Sequence, residues 1–483
     1  MTERERTTLD RIRRHLDAGE VRAAFAMLKE LKDHASKELR ERDMWRVHEL
    51  FGACFHDLGD PEGAAQAYLQ AAQSDRFLRS QRQHFSSYLF ALHYLPRISP
   101  EEMARQNLTY GSLYREQEPL PPKAVERCGR MRLGYLAPSF SEQALARFYE
   151  TMLTKYDREC FEVFCYSMET AEDAFAKTLR EQVDGWRVLS EEDLEGAAST
   201  IREDGVDILF DLGGHSEGGV TLMVMAYHPG RVQVSGIGWL DTTGLPAMDY
   251  LLADDVLAAY EGLFSERILR LPHAFCWKPT TAMESLRREP RKKGSPIRLG
   301  CFNNFMKVTE EMLRLWGTIL DELPGATLLM QDVTTHPARQ EEMRRRLGEA
   351  GLSGRAEVRC ASPGYLRQLQ EIDIALDTYP YTGGGMTAAA LYMGTPVVAL
   401  EGDRYGSRFG ACLLRSAELP ELIAGSPEEY AAKAVALAGD EERLTSLQMS
   451  LRQGMEASPL MDGEGYMRSL EAAYRRILKE ADL

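Results

Sequence analysis

The clearest indication of the fold comes from residues 372–400, IDIALDTYPYTGGGMTAAALYMGTPVVAL. In this stretch two apolar runs flank a glycine-rich turn and a run of small residues. The runs IDIAL and PVVAL are typical of buried strands, and MTAAALYMG is typical of a helix packed closely on a sheet. A strand, a helix and a second strand in this order predict a parallel α/β unit. The turn TYPYTGGG then follows the carboxyl end of a strand, where such sheets bind their ligands.

The same alternation of strand-like runs and helical segments occurs in two sections of the chain. One begins with MRLGYLAP near residue 131, and the other with IRLGCFNNFMKVT near residue 297; the basic segment RREPRKKGSP separates them. Each section opens on an Arg-Leu-Gly strand. We therefore predict an α/β fold with two Rossmann-like domains facing a cleft, over residues 131–286 and 295–460.

The first hundred residues read as paired amphipathic helices that end at polar turns. The second pair carries small or aromatic residues at the positions of a tetratricopeptide repeat: Gly52, Phe55, Gly59, Ala64, Tyr68 and Ala71. This spacing predicts a short tetratricopeptide-like region over residues 1–97. The alternative is a plain helical bundle that packs on the next domain. Residues 98–130 are expected to form a connecting helix or linker, and residues 461–483 a helix that packs back on the domains.

Composition excludes several classes of function. The 483 residues carry a formal net charge of −16, which argues against broad binding to nucleic acids or anionic membranes. Eight cysteines occur singly, without a C-x-x-C pair, so reduced thiols fit better than a zinc site or thiol exchange. No apolar run reaches the length of a membrane span. We expect a cytoplasmic protein.

The glycine turn is the first candidate site. Gly383, Gly384 and Gly385 allow backbone N–H groups to face an anion at a helix amino terminus, with Met386 and Thr387 following in the first turn. The turn matches neither G-x-x-x-x-G-K-[ST] nor G-x-G-x-x-G, and tight strand-to-helix corners are common in α/β proteins. A phosphate cradle and a plain corner both remain open on this motif.

A second candidate lies in CFNNFMKVT, where Asn303, Asn304 and Lys307 follow a strand of the same section. A lysine at this point can neutralise a leaving diphosphate, and the alternative is a solvated lysine beside an Asn-rich turn.

The third candidate is VDILFDLGGHSEGG, with Asp211 and His215 at the end of a strand in the first section. His215 is the candidate proton acceptor and Asp211 its candidate orienting partner, although most single histidines are structural.

Four segments together resemble the SPINDLY and O-GlcNAc transferase family, and the resemblance covers residues 131–438. They are DILFDLGGHSEGG, QVSGIGWLDTTGLPAMDY, CFNNFMKVTEEMLRLW and IALDTYPYTGGGMTAAALYMGTPVVAL. The resemblance implies a GT-B fold and an inverting, metal-independent transfer of a sugar from a nucleotide sugar to a protein Ser or Thr. It also implies that Lys307 contacts the donor diphosphate, that Gly383–Thr387 cradle the phosphate and nucleoside, and that His215 lies in the active cleft.

The chain departs from the family pattern at four positions. Gln143 stands where the family usually has a histidine, and Gln331 stands in the donor site where a basic residue is common. Tyr365 replaces another frequent histidine, and Ala388 or Ala389 replaces an acid that can meet the ribose. Each change removes a charge or a proton carrier from the expected donor site.

The leading hypothesis is therefore a protein O-glycosyltransferase that uses UDP-N-acetylglucosamine, without a metal. Protein O-fucosylation from GDP-fucose is the next choice, because TTGLP and DTYPY lean toward the SPINDLY branch. Transfer to asparagine is a further alternative, as is a degenerate domain that binds a partner. The acceptor is a protein or peptide; flagellin or a surface adhesin is the expectation drawn from the family.

Overall fold

The structure is a computed structural model that describes residues 1–121 and 129–481. Part of the expected 98–130 connection, with Cys128, and the last two residues lie outside the described residues. The chain divides into two compact units. The C-sheet unit contains Met1–Ile98, Leu286–Gly402 and Glu421–Leu451; the N-sheet unit contains Ser99–Ser285, Asp403–Pro420 and the chain from Arg452 onward.

The first part of the C-sheet unit is helical, as the amphipathic pattern predicted. Its helices are α1 (Glu3–Asp17), α2 (Val21–Asp33), α3 (Met44–Leu58), α4 (Pro61–Ser74) and α5 (Leu78–Leu92). Gly59 ends α3 in the left-handed conformation, with φ of 79°, and Asp60 caps α4 by accepting a hydrogen bond from Gly63 N.

The close approach of α3 and α4 explains the repeat spacing. A Cβ atom at Gly52 would lie 2.5 Å from the ring of Tyr68, so only glycine admits this ring between the two helices. Aliphatic side chains of α1 to α3, including Leu28 and Val47, complete a buried core. The predicted helical-repeat region is thus confirmed.

The N-sheet unit carries a parallel sheet with strand order β3-β2-β1-β4-β5-β6-β7. The strands are β1 (Met131–Ala137), β2 (Phe161–Ser167), β3 (Gly185–Val188), β4 (Ile208–Asp211), β5 (Val232–Ser235), β6 (Tyr250–Ala253) and β7 (Arg267–Arg270). The helices that precede, connect or cover them are α6 (Pro100–Gly111), α7 (Ala146–Thr154), α8 (Ala174–Arg180), α9 (Leu194–Glu203), α10 (Val220–Met225), α11 (Thr281–Ser285), α16 (Tyr405–Ser416) and α19 (Gly463–Ala481). Tyr474 of α19 is buried, and its hydroxyl lies 3.4 Å from that of Tyr135 on β1.

The C-sheet unit carries a second parallel sheet, with strand order β10-β9-β8-β11-β12-β13. The strands are β8 (Arg298–Cys301), β9 (Thr327–Gln331), β10 (Ala356–Arg359), β11 (Ile374–Leu376), β12 (Val397–Leu400) and β13 (Ile423–Ala424). Its helices are α12 (Glu310–Glu322), α13 (Pro337–Glu349), α14 (Tyr365–Leu369), α15 (Gly385–Tyr392), α17 (Pro427–Gly439) and α18 (Glu441–Ala457), the last of which continues into the N-sheet unit. Short 3₁₀ or π turns occur at Leu39–Asp43, Ser112–Tyr114, Ser216–Gly219, Leu257–Leu263, Phe305–Lys307 and Pro420–Leu422.

The two sheets repeat one construction around their Arg-Leu-Gly strands. Asp207, just before β4, accepts a 2.9 Å hydrogen bond from Arg132 N, and Asp373, just before β11, accepts a 2.9 Å hydrogen bond from Arg298 N. The shared contact sets the register of the first strand against its parallel neighbour in each sheet.

In both sheets the strand order reverses direction beside this first strand, between β1 and β4 and between β8 and β11. Such a switch point leaves a crevice outside the carboxyl ends of the two strands, where ligands bind. The loops after β8 and β11 carry Asn303, Lys307 and Gly383, and the loop after β4 carries His215. The fold thus places all three candidate segments at switch points.

A search of the helices in residues 1–121 and 129–481 finds none with the length and apolar character of a membrane span.

Candidate functional site

The loop after β11 is folded around the carboxylate of Asp377. Its Oδ1 accepts hydrogen bonds from Gly383 N at 2.7 Å and Thr378 N at 2.8 Å, and Asn303 Nδ2 lies 3.4 Å from the same oxygen. The hydroxyl of Thr387 lies 3.5 Å from Oδ2. Burial raises the pKa of Asp377 to about 6, while the backbone amides and the charge of Lys307 act to lower it. Asp377 therefore joins the loops after β8 and β11.

The glycine turn sets the amino end of α15 against this carboxylate. A Cβ atom at Gly383 would lie 2.5 Å from Thr387 Oγ1 and 2.8 Å from Asp377 Oδ1, so a side chain has no room there. Ala388 N donates a helical hydrogen bond to Gly384 O. The amides of Gly385 and Met386 come before it in the chain, at the amino end of the helix. Gly384, Gly385 and Met386 are partly exposed. Free amides and the helix dipole favour an anion at this end.

Lys307 brings a cation to the same turn. It ends the 3₁₀ turn Phe305–Lys307, and its Nζ atom donates to Thr382 O at 3.0 Å and lies 3.8 Å from the ring centroid of Tyr381. Loss of water around the ammonium lowers the pKa of Lys307 to about 8, although the Asp377 carboxylate acts to raise it. The ammonium and the amino end of α15 thus lie at one turn, which suits a diphosphate.

The two asparagines fix the loop that carries Lys307. Asn303 is buried and contacts Asp377, as described above. Asn304 caps the 3₁₀ turn, because its Oδ1 accepts from Met306 N at 3.0 Å, and the same oxygen accepts from Arg339 Nη1 at 3.0 Å. Asn304 thus holds the backbone of the turn, and Asn303 contacts the carboxylate of the neighbouring loop.

A cavity of about 200 Å³ opens beside the turn, at the ends of β8, β9 and β10. Its lining residues are Phe302, Gln331, Asp332, Val333, Ala361, Ser362, Tyr365 and Met386. Gln331 is 2% exposed, and its Oε1 has no hydrogen-bond partner among the described residues. A buried amide oxygen without a partner is costly unless a ligand donates to it. Gln331 is one of the polar residues in a lining that also holds aromatic and apolar side chains, which suits a planar base.

Three of the four departures from the family pattern fall around this site. Gln331 and Tyr365 line the cavity, whereas Ala388 and Ala389 are buried in α15 against the sheet. Gln143 is in the N-sheet unit, in the exposed loop before α7.

Asp211 organises the loop after β4 in the way that Asp377 organises the loop after β11. Its Oδ1 accepts from Gly213 N at 3.0 Å, and its Oδ2 accepts from Gly214 N at 2.9 Å and from Ser235 Oγ at 3.2 Å. Burial raises the pKa of Asp211, and these hydrogen bonds counteract the shift. Asp211 thus holds the backbone that leads to His215.

His215 is buried between two aromatic rings. Its ring centroid lies 4.5 Å from those of Tyr110 and Trp239, and its Nε2 lies 3.1 Å from Thr243 O. A carbonyl oxygen only accepts, so Nε2 carries the proton and Nδ1 of the neutral ring carries the lone pair. Burial lowers the pKa of His215 to about 3. The imidazole is therefore neutral at physiological pH.

Glu266 holds the threonine-rich loop that contacts His215. Its Oε1 accepts from Thr243 N at 2.7 Å and Thr243 Oγ1 at 2.5 Å, and its Oε2 accepts from Thr242 Oγ1 at 2.5 Å. Asp241, in the same loop, is buried, and burial raises its pKa to about 7. This loop is folded around two buried acids.

Sequence reasoning assigned no role to Asp377, Tyr381, Arg339 or Glu266. A signal for Asp377 existed, since IDIALD and VDILFD both end a strand on an aspartate before a glycine-containing loop. Arg339 and Glu266 lie far along the chain from the loops that they contact, and their residue types are common on surfaces. No local pattern marks them.

Comparisons with known proteins agree with this geometry. Residues 112–286 and 287–470 match the model of the family described as glycosyl transferase family 41. A rice protein (Oryza sativa subsp. japonica) named "Probable UDP-N-acetylglucosamine--peptide N-acetylglucosaminyltransferase SPINDLY" is 32% identical over 432 residues, which are 85% of this chain and 46% of that protein. The Arabidopsis thaliana relative with the same enzyme name and the designation SEC is 27% identical, over 77% of this chain and 40% of its own length. The chain thus spans less than half the length of these relatives.

Among solved structures, a mutant of the Thermobaculum terrenum O-GlcNAc transferase superposes with a TM-score of 0.84 and 28% identity, covering all of this chain and 99% of that one. This match confirms the predicted order of a helical region followed by two parallel sheets in the GT-B manner. With the family model matching both sheets and the resemblance carried by four separate segments, the chain belongs to glycosyl transferase family 41.

Proposed function

We propose that this chain transfers N-acetylglucosamine from UDP-N-acetylglucosamine to a Ser or Thr hydroxyl of a protein. The observation that carries the proposal is the Nζ atom of Lys307, held 3.0 Å from Thr382 O at the turn that leads into α15. The names of the relatives, which describe UDP-N-acetylglucosamine--peptide N-acetylglucosaminyltransferases, support the same donor and acceptor class.

The reaction requires stabilisation of the negative charge that develops on the leaving group. As the bond between the sugar C1 and the diphosphate oxygen breaks, the electron pair moves to that oxygen. The Lys307 ammonium and the first amides of α15 stabilise this charge, a role that a divalent cation plays in other enzymes. The acceptor hydroxyl attacks C1 from the opposite face, so the configuration inverts. We therefore propose a reaction without a metal.

The nucleobase is proposed to occupy the cavity lined by Gln331 and Tyr365. The unpartnered Oε1 of Gln331 accepts a hydrogen bond, and the imide N–H of uracil is a suitable donor. Guanine also has N–H donors but is a larger, purine base. UDP is the first choice and GDP the second.

His215 is proposed to interact with the acceptor hydroxyl. Its neutral ring has a lone pair on Nδ1, because Nε2 donates to Thr243 O. Asp211 is proposed to act through the Gly213 and Gly214 amides, which fix the loop backbone. A pKa of about 3 makes this histidine a weak base, so we assign it a hydrogen bond from the hydroxyl, and the proton that the hydroxyl loses goes to the departing diphosphate.

The proposal is tested by incubating the protein with UDP-[¹⁴C]N-acetylglucosamine and a bacterial protein extract, with GDP-[¹⁴C]fucose in parallel. Label in protein that alkaline β-elimination releases shows O-linked transfer; label that resists β-elimination but yields to an asparagine amidase shows N-linked transfer. EDTA should leave the rate unchanged. No label from either donor, with no nucleotide binding, contradicts enzymatic activity and favours a partner-binding domain. Flagellin or adhesin acceptors and a cytoplasmic location stay predictions.

A further inference from the structure

Arg339, on α13, joins the N-terminal helices to the loop that carries Lys307. Its side chain is 1% exposed. Nη2 donates to His56 O at 2.8 Å and lies 3.6 Å from Asp57 Oδ1, while Nη1 donates to Asn304 Oδ1 at 3.0 Å. One guanidinium thus contacts the carboxyl end of α3 and the cap of the Phe305–Lys307 turn.

The chemistry of both contacts explains why a buried charge is tolerated here. The last carbonyls of a helix have no partner within it, and the helix dipole favours a cation at that end. His56 and Asp57 lie in the last turn of α3, and Asp57 supplies a counter-charge. The planar fork of arginine reaches two acceptors in fixed directions, which a lysine ammonium does not reproduce.

A second contact joins the same two regions. Tyr94, just after α5, is buried, and its ring centroid lies 5.3 Å from that of Tyr381. Phe90 lies 6.3 Å from the same ring. Tyr381 in turn lies beneath the Lys307 ammonium. The N-terminal helices therefore reach the cap of the Lys307 turn through Arg339, and residues of α5 and just after it contact the ring that faces Lys307.

We propose that Arg339 is a positioning residue for the diphosphate site: it fixes Asn304, and through Asn304 the Lys307 turn, on the carboxyl end of α3. The N-terminal helices are then a structural part of the donor site, in addition to any role in recruiting acceptors. A ligand or partner that shifts α3 would change donor affinity. The inference rests on the proposed donor site around Lys307.

The test uses the full chain and compares UDP with uridine, since only UDP carries the diphosphate. Arg339→Met should weaken UDP binding, measured by calorimetry, about 10-fold to 100-fold, the range for loss of a charged hydrogen bond. Uridine binding, measured by ligand-observed NMR, should change less than about twofold, because the base cavity is untouched. Arg339→Lys should fall between wild type and Arg339→Met for UDP.

Arg288→Met is the matched control. Arg288 also has a largely covered side chain, which donates to a backbone carbonyl, Ile372 O, and to Thr395 Oγ1, but it contacts neither the Lys307 loop nor α3. The Arg288→Met variant should leave the ratio of UDP affinity to uridine affinity unchanged. An equal change of that ratio in Arg288→Met would overturn the proposal, since the effect would then follow any buried arginine.

Asn304→Ala keeps the inference testable if Arg339→Met does not fold. Asn304→Ala should weaken the binding of UDP but not that of uridine. The double variant should bind UDP no more weakly than the single variant with the lower UDP affinity, because both changes break the same connection. Additive losses, or an Asn304→Ala variant with wild-type UDP affinity, overturn the positioning role. If the wild-type chain binds no nucleotide at all, the proposed function fails first, and the two failures are thereby distinguished.

Discussion

The Nζ atom of Lys307 lies 3.8 Å from the centroid of the Tyr381 ring. The lysine comes from the loop after β8 and the tyrosine from the loop after β11, so this contact spans the switch point of the C-sheet. The ring presents its negative face to a cation that has lost part of its water. The ammonium is thereby fixed before any diphosphate arrives.

Removing the Tyr381 ring should weaken the donor site. Tyr381→Leu should lower UDP affinity about 3-fold to 30-fold, the effect of losing one partly desolvated cation–π contact. Tyr381→Phe keeps the ring and should bind UDP within about twofold of wild type. Calorimetric titration of the three proteins checks this. Equal losses for the phenylalanine and leucine variants would point to the hydroxyl instead.

UDP binding should weaken as pH rises above 8. The pKa of Lys307 in the free protein is about 8, and a bound diphosphate raises it, so binding above pH 8 requires uptake of a proton. The apparent dissociation constant should then rise up to about tenfold per pH unit, while the phosphate of UDP stays ionised. Titrations from pH 7 to 9.5 measure this, and in Lys307→Met the curve should be flat. A flat curve in the wild type contradicts the assigned contact.

Gln331 should contribute to recognition of the base. Gln331→Leu fills the same volume but removes the buried Oε1, so affinity for uridine and UDP should fall in parallel, by about 5-fold to 30-fold. Met330→Leu, one position earlier on β9 and fully buried in the sheet, is the control and should leave both affinities unchanged. If Gln331→Leu improves the binding of either ligand, the buried oxygen opposes binding and accepts no hydrogen bond from the base.

The sequence predicted the architecture, and the candidate residues that it named in the C-sheet lie on neighbouring loops in the structure. Alternating apolar runs and small-residue helices are local signals, and they correctly gave two parallel sheets after a helical region. The glycine turn and Lys307 lie at one turn in the structure because the order of strands places the loops after β8 and β11 side by side.

Several contacts could not be predicted because they depend on how the backbone folds. Asp377 lies within residues 372–400, yet its hydrogen bond to Gly383 N depends on how the intervening TYPYT segment folds back. Asp211 was predicted to orient His215, and the spacing does not reveal its hydrogen bonds to the amides of Gly213 and Gly214 and to Ser235 Oγ. One of the two rings that bury His215 belongs to Tyr110, more than a hundred residues earlier in the chain.

His215 should make the protein less stable in mild acid. Its pKa is about 3 in the folded state and 6.5 in the unfolded state, so between these values only the unfolded chain takes up the proton. Lowering the pH from 6.5 to 5 should therefore cost up to about 1.4 kcal/mol per pH unit through this group. The melting temperature of His215→Gln should fall less over that range than that of wild type. An identical fall in both proteins would mean that the imidazole titrates normally.

Lys307 and the amino end of α15 are proposed to form a donor-diphosphate site. Calorimetric titration of UDP into wild type and Lys307→Met at pH 7 tests it most directly, with uridine as the ligand that lacks phosphate. We expect UDP to bind the wild type and to bind Lys307→Met at least about 30-fold more weakly, as for loss of a charge-assisted contact, with uridine affinity unchanged. Equal UDP affinity in the two proteins would contradict the account.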